Sequence, residues 1–384
     1  MKILLVAPQP FYTERGTPIA VRLLAESLCG AGHSVDLLVY HEGQDISMPG
    51  LRLIRAGRPP GVRHVPIGIS VAKLICDLWL IAAMIRCLRR ERYDVVHAVE
   101  EAVFPAAAWC AVSGVRLVYD MDSSLADQVV DKWWLLKPLG ALLRLFERFA
   151  VRHASVTLAV CEDLAVKVRP WVGSNRVWVL PDVPVGGDAS AAAAERLRAQ
   201  VGDDGVLALY VGNLENYQGI DLLLQGLARM PATTPLKTVV IGGSNEHIEH
   251  YRRLAGQLGI GARIWFLGPR PVAQLPAYLE QADILLSPRT LGQNTPMKVY
   301  SYMAAGKAIL ATGIRSHLQV LDETTAAIVS LEAQSMADAL ARLAGDAALR
   351  QQLGAAARTK VETEYSLERY RQILGDAYRQ LAAD

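Results

Sequence analysis

The sequence is short of the features that several protein classes require. Its five cysteines (Cys29, Cys76, Cys87, Cys110, Cys161) include no CxxC pair, are odd in number and sit mostly among apolar residues. That argues against a disulfide frame or a zinc ribbon and for buried free thiols. Net charge is also nearly absent, since 40 basic and 38 acidic side chains leave only +2; a chain that works on nucleic acid carries a larger surplus. No apolar run approaches the ~20 residues that a bilayer demands, and the longest candidate, Leu74 to Ile85, is interrupted by Asp77. The run after Lys2 stops at Pro8, too soon for a signal peptide, so the cytoplasm is the expected compartment. Two nucleotide signatures are missing as well. The first strand runs into PQPFYTERG rather than GxGxxG, which argues against a nicotinamide oxidoreductase, and GK at 306–307 lacks the upstream glycine and the hydroxyl of a P-loop.

What is present is a long alternation. With 384 residues, 52% of them hydrophobic, the chain has enough material for two or three domains. The apolar strand KILLVAP leads through its loop to a helix for which Thr17 is the expected cap and Pro18 the first residue. Further strands are expected near Val35–Tyr40, Val95–His97, Val115–Tyr119, Val156–Val160 and Val177–Leu180, with helices between them such as Val71 to Arg90. The segment VLPDVPVGGDAS breaks the rhythm, and an Ala-rich helix from Ser190 to Gln200 restarts it. Strands follow near Val206–Val211, Thr238–Ile241, Arg263–Phe266, Ile284–Leu286 and Ala308–Ala311. The expected fold is α/β, two doubly wound Rossmann-like domains over residues 1–182 and 183–365 facing an interdomain cleft, with a last helix, 366–384, free to pack back on the first domain. Chemistry belongs in the loops after the strands.

The most informative loop is SPRTLGQNTPMKVYSYMAAGKAIL, residues 287–310. Thr295 is the expected cap of a short helix, Pro296 its first residue and Gly306 its close. Free amides and the positive dipole end at Thr295 to Lys298 then offer a seat for phosphate. A lysine at position 298 opposes that dipole, which makes sense if an anion offsets both.

Here the chain resembles the retaining glycosyltransferases of family 4, which have the GT-B fold. The resemblance spans nearly the whole chain and rests on KILLVAP with Gly16, YDVVHA at 93–98, LYVGNLENYQGIDLLLQGL at 209–227, FLG at 266–268, LEQADILLSP at 279–288 and YMAAGKAILAT at 302–312. It implies transfer of a sugar from a nucleotide diphosphate sugar, with no metal and no cofactor beyond that donor substrate. It assigns the donor to Gly16, Thr17, Asn213, Gln218, Gly243, Gln293, Asn294, Thr295, Pro296, Met297 and Ser301. The family's paired glutamates are replaced by Gln293 and Ser301, and its arginine and lysine after the first strand of the second domain by Asn213 and Gln218. Departure of a nucleoside diphosphate still needs preset positive charge, so the cationic work is expected of Arg289 and Lys298. The same four replacements support the alternative of a relative that binds a nucleotide sugar as a partner protein without turnover.

On the acceptor side, VRLVYDMDSS presents Asp120 and Asp122 after a strand. The pair reads either as metal-holding DxD or, following the resemblance, as an acceptor-side group at Asp122 that accepts the acceptor hydroxyl's proton or merely orients it; Asp122 also reads as a helix cap with Ser123 and Ser124. His97, Glu100 and Glu101 follow another strand end. His97 reads equally as a core histidine, and one of the two glutamates is expected to cap a helix or face water. His247 and His250 lie three apart without a third ligand and read as surface residues.

Charge is concentrated locally. Between Arg52 and Arg92 lie nine basic and two acidic residues, among them Arg55, Arg58, Arg63, Lys73, Arg86, Arg89 and Arg90. A second stretch, residues 131–153, sets Trp133, Trp134, Lys137, Arg144, Arg148 and Arg152 around an apolar face. Such surfaces suit peripheral contact with an anionic membrane; equally, the two helices cover the sheet and leave their charged ends in water. The first reading points to a lipid or lipid-linked saccharide acceptor at the inner face of the plasma membrane.

Overall fold

The computed structural model describes residues 1–14, 16–65, 70–127, 137–185 and 194–383. The chain divides into two compact units, Met1–Pro181 with Tyr370–Asp384, and Asp182–Arg369.

Unit 1 runs β1 (Lys2–Val6), α1 (Gly16–Gly30), β2 (Ser34–Val39), β3 (Leu51–Arg55), α2 (Val71–Arg90), β4 (Val95–Val99), α3 (Val103–Ser113), β5 (Arg116–Met121), α4 (Lys137–His153), β6 (Val156–Ala159), α5 (Glu162–Val172) and β7 (Val177–Val179). Its strands are parallel in the order β3-β2-β1-β4-β5-β6-β7. Such a sheet is covered on both faces, so its central strands are continuous apolar runs: all five residues of β4 are buried, as are Ile3 to Val6 of β1. Order reverses between β1 and β4, the place where a crevice opens at the carboxyl ends of the strands.

Unit 2 repeats the plan with α6 (Leu197–Val201), β8 (Val206–Val211), α7 (Ile220–Arg229), β9 (Leu236–Ile241), α8 (Asn245–Gln257), β10 (Ile264–Gly268), α9 (Leu275–Glu280), β11 (Ile284–Ser287), α10 (Met297–Ala304), β12 (Ala308–Thr312), α11 (Arg315–Leu318), β13 (Ala327–Val329), α12 (Ala333–Gly345) and α13 (Ala347–Glu364). The parallel order is β10-β9-β8-β11-β12-β13, so the reversal falls between β8 and β11. Helix α14 (Leu367–Ala383) follows, and from Tyr370 it belongs to unit 1, where the Tyr378 hydroxyl shares a 2.8 Å hydrogen bond with His97 Nδ1.

Several local expectations are corrected. Helix α1 starts at Gly16, so Thr17 lies inside its first turn instead of capping it. Of the Ala-rich helix only α6 is helical among the described residues, and residues 190–193 lie outside them. Strands β3 and β13 went unread. β3 is an edge strand whose Arg52 and Arg55 disguise it as a charged stretch, and those arginines are held by Asp36 with Glu91 and by Asp45. The local surplus of positive charge is therefore partly neutralised. Trp133 and Trp134, and the side chain of Lys137, lie outside the described residues.

Candidate functional site

Each reversal point carries a cluster of polar groups. In unit 2, β8 is followed by Gly212, whose φ is +150° and whose backbone lies beside Gly242; a Cβ on Gly242 would lie 2.0 Å from the Gly212 carbonyl oxygen. Gly243 (φ +84°) packs as tightly on Leu214, with 2.5 Å left for a Cβ. Gly242 is required by close approach of backbone, and Gly243 by its left-handed φ and the Leu214 side chain.

Lys298 stands by these strand ends. Its Nζ donates to Gln218 Oε1 at 3.1 Å and lies 4.0 Å from the centre of the Tyr210 ring. Burial, reinforced by Arg289, pulls its pKa well below the usual lysine value, so its charged form is disfavoured in the absence of an anion. Gln218 is itself buried. The lysine missing from position 218 is thus answered from another element, with its charge delivered to the same spot.

Arg289 is deployed differently. Its Nε donates to Leu291 O at 2.6 Å, Nη1 donates to Asn294 O at 3.1 Å, and the guanidinium lies 5.3 Å from the Tyr217 ring. It braces the loop leading to α10. The amides of Met297 and Lys298 precede the first bond of that helix, from Val299 N to Pro296 O, so positive dipole and ammonium act together.

The cap is not the expected one. Pro296 occupies the position before α10 with no side-chain cap, and Thr295 is buried, its hydroxyl donating to Ser316 O at 2.9 Å. A tertiary bond outcompetes the local one. Gly306 does turn left-handed after the helix, φ +65°. Ser301 is buried and its hydroxyl accepts the Val185 amide at 3.0 Å. Gln293 is exposed, its carbonyl held by Gln319 Nε2. Asn213 accepts the Tyr210 hydroxyl on its carbonyl at 2.6 Å.

Sequence reasoning missed the support beneath this loop. His317 is fully buried, its Nδ1 2.8 Å from Thr312 O and its Nε2 2.8 Å from Ser287 Oγ. The carbonyl fixes the proton on Nδ1, so Ser287 donates to Nε2. Burial pulls the imidazole down to about 4; it is neutral at pH 7 and ties β11 to β12. Its only signal was a histidine three residues before the apolar pair Val320 and Leu321.

In unit 1 the reversal point holds a cavity of about 480 Å³. Val6, Pro8 and Thr17 reach it from the β1 side, Glu100 and Glu101 from the end of β4, and Lys73 and Asp77 from α2. Glu100 has a left-handed backbone, φ +48°, a strained conformation that surrounding structure must hold. Lys73 forms an ion pair with Glu101, and the Tyr40 hydroxyl donates to Asp77. Burial raises the pKa of Asp77, opposed by Lys73; burial also raises that of Glu100, opposed by Lys73 and aided by Asp120. Both glutamates are partly exposed and line the cavity. Asp77 was the missed residue, and its isolation in an apolar helix was the available signal.

His97 does not reach the cavity. It is fully buried between Tyr378 and Asp120, whose Oδ2 lies 3.5 Å from Nε2, and so takes the core reading. Ser124 caps the following turn, accepting the Asp127 amide at 3.3 Å. Buried Glu147 takes the Ser124 hydroxyl at 2.8 Å and the Ala126 amide at 3.1 Å, fixing the segment that carries Asp122. Gly16 has open space around it. Among the described residues no group of three metal-ligating side chains is assembled.

Comparison with known proteins follows this division. A model of glycosyl transferase 4-like domains matches residues 15–182, and a model of glycosyl transferases group 1 matches residues 194–360. The chain is 25% identical over 359 residues to the phosphatidyl-myo-inositol mannosyltransferase of Mycolicibacterium smegmatis, covering 91% of this chain and 86% of that one. It is 31% identical over 156 residues to the D-inositol 3-phosphate glycosyltransferase of Corynebacterium diphtheriae, 38% of this chain but only 36% of the relative's length. Sucrose-phosphate synthase from Thermosynechococcus elongatus superposes with a TM-score of 0.79 at 21% identity, over 100% of this chain and 99% of the other. Two glycosyltransferase models in series and a shared GT-B fold place the chain in the family 4-like glycosyltransferases.

Proposed function

We propose that this chain is a retaining glycosyltransferase. Unit 2 binds a nucleotide diphosphate sugar without metal, and unit 1 presents the hydroxyl of a lipid or saccharide acceptor. The observation that carries this reading is Lys298, whose ammonium sits beside Gln218 at the amino end of α10. A diphosphate there meets a full charge, helix amides and the backbone at Gly212, Gly242 and Gly243. As the sugar–phosphate bond breaks, negative charge grows on the leaving diphosphate and Lys298 stabilises it. In a front-face reaction that phosphate also takes the acceptor proton, so no strong side-chain base is needed. A thermal-shift series of nucleoside diphosphates and their sugars tests the donor side. A ligand at about 100 times its dissociation constant adds ~2.7 kcal/mol, and the expected shift is indifferent to EDTA. A shift abolished by EDTA would bring Asp120 and Asp122 forward as metal ligands, against this reading.

The acceptor side points to a cytoplasmic membrane face. No helix of the described residues is long and apolar enough to cross a membrane. Yet α4 exposes Leu142, Leu145, Phe146 and Phe149 along one stripe, and Arg144, Arg148 and Arg152 along the next. Phe146 meets Phe104 edge to face at 6.4 Å, and Phe104 lines the unit 1 cavity. Leu74 of α2 both lines that cavity and is 57% exposed. The apolar stripe is thus continuous with the cavity wall, an arrangement suited to an acceptor drawn from a lipid surface. A relative named for mannosyl transfer to phosphatidyl-myo-inositol is likewise named for a lipid acceptor, which supports the lipid class alone. Vesicles containing phosphatidylglycerol are expected to bind the chain at low salt and release it as salt screens the arginines. Burying one Phe or Leu is worth roughly 1.5–3 kcal/mol, so Leu145→Asp with Phe146→Asp lowers binding at least about tenfold. Equal binding by this variant, or none by the parent chain at low salt, contradicts the membrane reading.

A further inference from the structure

The unit 1 cavity has a chemistry of its own. Its walls are apolar, formed by Leu74, Leu80, Ile81, Met84, Phe104 and Leu125, and its volume suits a small amphiphile. Its polar end carries three carboxylates, Asp77, Glu100 and Glu101, and among the described lining residues the one cation is Lys73, which is already paired with Glu101. Tyr40 supplies Asp77 with a neutral donor only. The carboxylate of Asp120 adds to the negative field at Glu100. A phosphate, with its charge of about −1.5 to −2, would be repelled by such a site. A ligand bearing only hydroxyls would leave the ionised forms of Asp77 and Glu100 disfavoured by burial, as they are in the empty cavity. An ammonium answers both.

We infer that this cavity binds the protonated primary amine of an amphiphile between Asp77 and Glu100, with its apolar portion along Leu80, Ile81 and Met84. The inference rests on the transferase reading only where it makes this compound the acceptor. An amine-bearing, hydroxylated lipid is then the substrate class, in place of a phosphate-bearing one.

The test is calorimetric titration of the full chain with three probes of equal chain length, hexylamine, hexanol and hexyl phosphate. The amine is expected to bind about tenfold tighter than the alcohol, and the phosphate weakest of the three. In Asp77→Asn with Glu100→Gln, the amine and the alcohol are expected to bind equally. If that double variant fails to fold, Glu100→Gln alone carries the comparison, with the amine's advantage expected to shrink. Equal binding of amine and alcohol to the parent chain overturns the inference, as does phosphate binding as tightly as the amine, or an amine advantage unchanged in the variants. The titration reads no turnover, so a missing amine preference leaves sugar transfer untouched, and a chain that transfers no sugar leaves the amine site open to the same measurement.

Discussion

Replacing Lys298 by methionine is expected to slow sugar transfer about a hundredfold or more while leaving the melting temperature unchanged or raised. Two effects of opposite sign underlie this expectation. In the resting chain the ammonium is a burden: burial and Arg289 both disfavour its charge, and its hydrogen-bond partner is a neutral amide, Gln218. Methionine fills similar space without that cost, so stability does not fall. At the transition state the balance inverts, because charge develops on the departing diphosphate and a preset donor in such a site is worth roughly 3–4 kcal/mol, about 10²–10³ in rate. Rate lost without loss of stability is the signature of a functional residue. Steady-state kinetics and a melting curve on the same variant decide it; parental turnover removes Lys298 from the site.

The second large effect is structural. Gly219→Ala is expected to destabilise unit 2 by ~3 kcal/mol or more, as changes at a strained backbone position do. For a unit of this size that corresponds to a drop of about 6 to 12 °C in its thermal transition. Gly219 has φ +73° and precedes α7, and a Cβ there would lie 1.9 Å from the Pro288 carbonyl oxygen and 3.1 Å from Thr290 Cγ2. Both obstacles belong to the loop after β11, so relief of the clash displaces Arg289 and the approach to α10. Turnover should fall with stability. Gly256 supplies the control: it lies within α8 with nothing near its Cβ position, and alanine there is expected to be neutral or stabilising by about 0.5–1 kcal/mol. Calorimetry that finds the two variants equally stable contradicts the crowding argument.

The fold was legible because a buried parallel strand has to be apolar throughout. Val206–Val211 and the helix Val71–Arg90 were read to the residue, since neither depends on distant partners. Edge strand β3 has no such constraint, and its arginines spoke louder than its leucines. The positions of Gly243, Gln218, Arg289 and Lys298 after strands were readable, but not their division of labour. Arg289 became a loop brace because carbonyls at 291 and 294 were within reach, and Lys298 found Gln218 eighty residues away. Thr295 followed by proline has the local form of a cap, yet Ser316, 21 residues on, took its hydroxyl. His97 was readable as a core histidine, but not its partner Tyr378, 281 residues downstream. Local patterns thus gave the elements, while side-chain pairings set by tertiary structure stayed hidden.

The central claim is turnover of a nucleotide sugar at the Lys298 site. Its most direct test is release of nucleoside diphosphate when the purified chain meets UDP-, GDP- and ADP-sugars with a lipid or saccharide acceptor, with and without EDTA. The account predicts release from at least one donor, unaffected by EDTA and lost in Lys298→Met. Donor binding without release from any of them would make the chain a nucleotide-sugar-binding partner protein, and release unchanged in Lys298→Met would contradict the site itself.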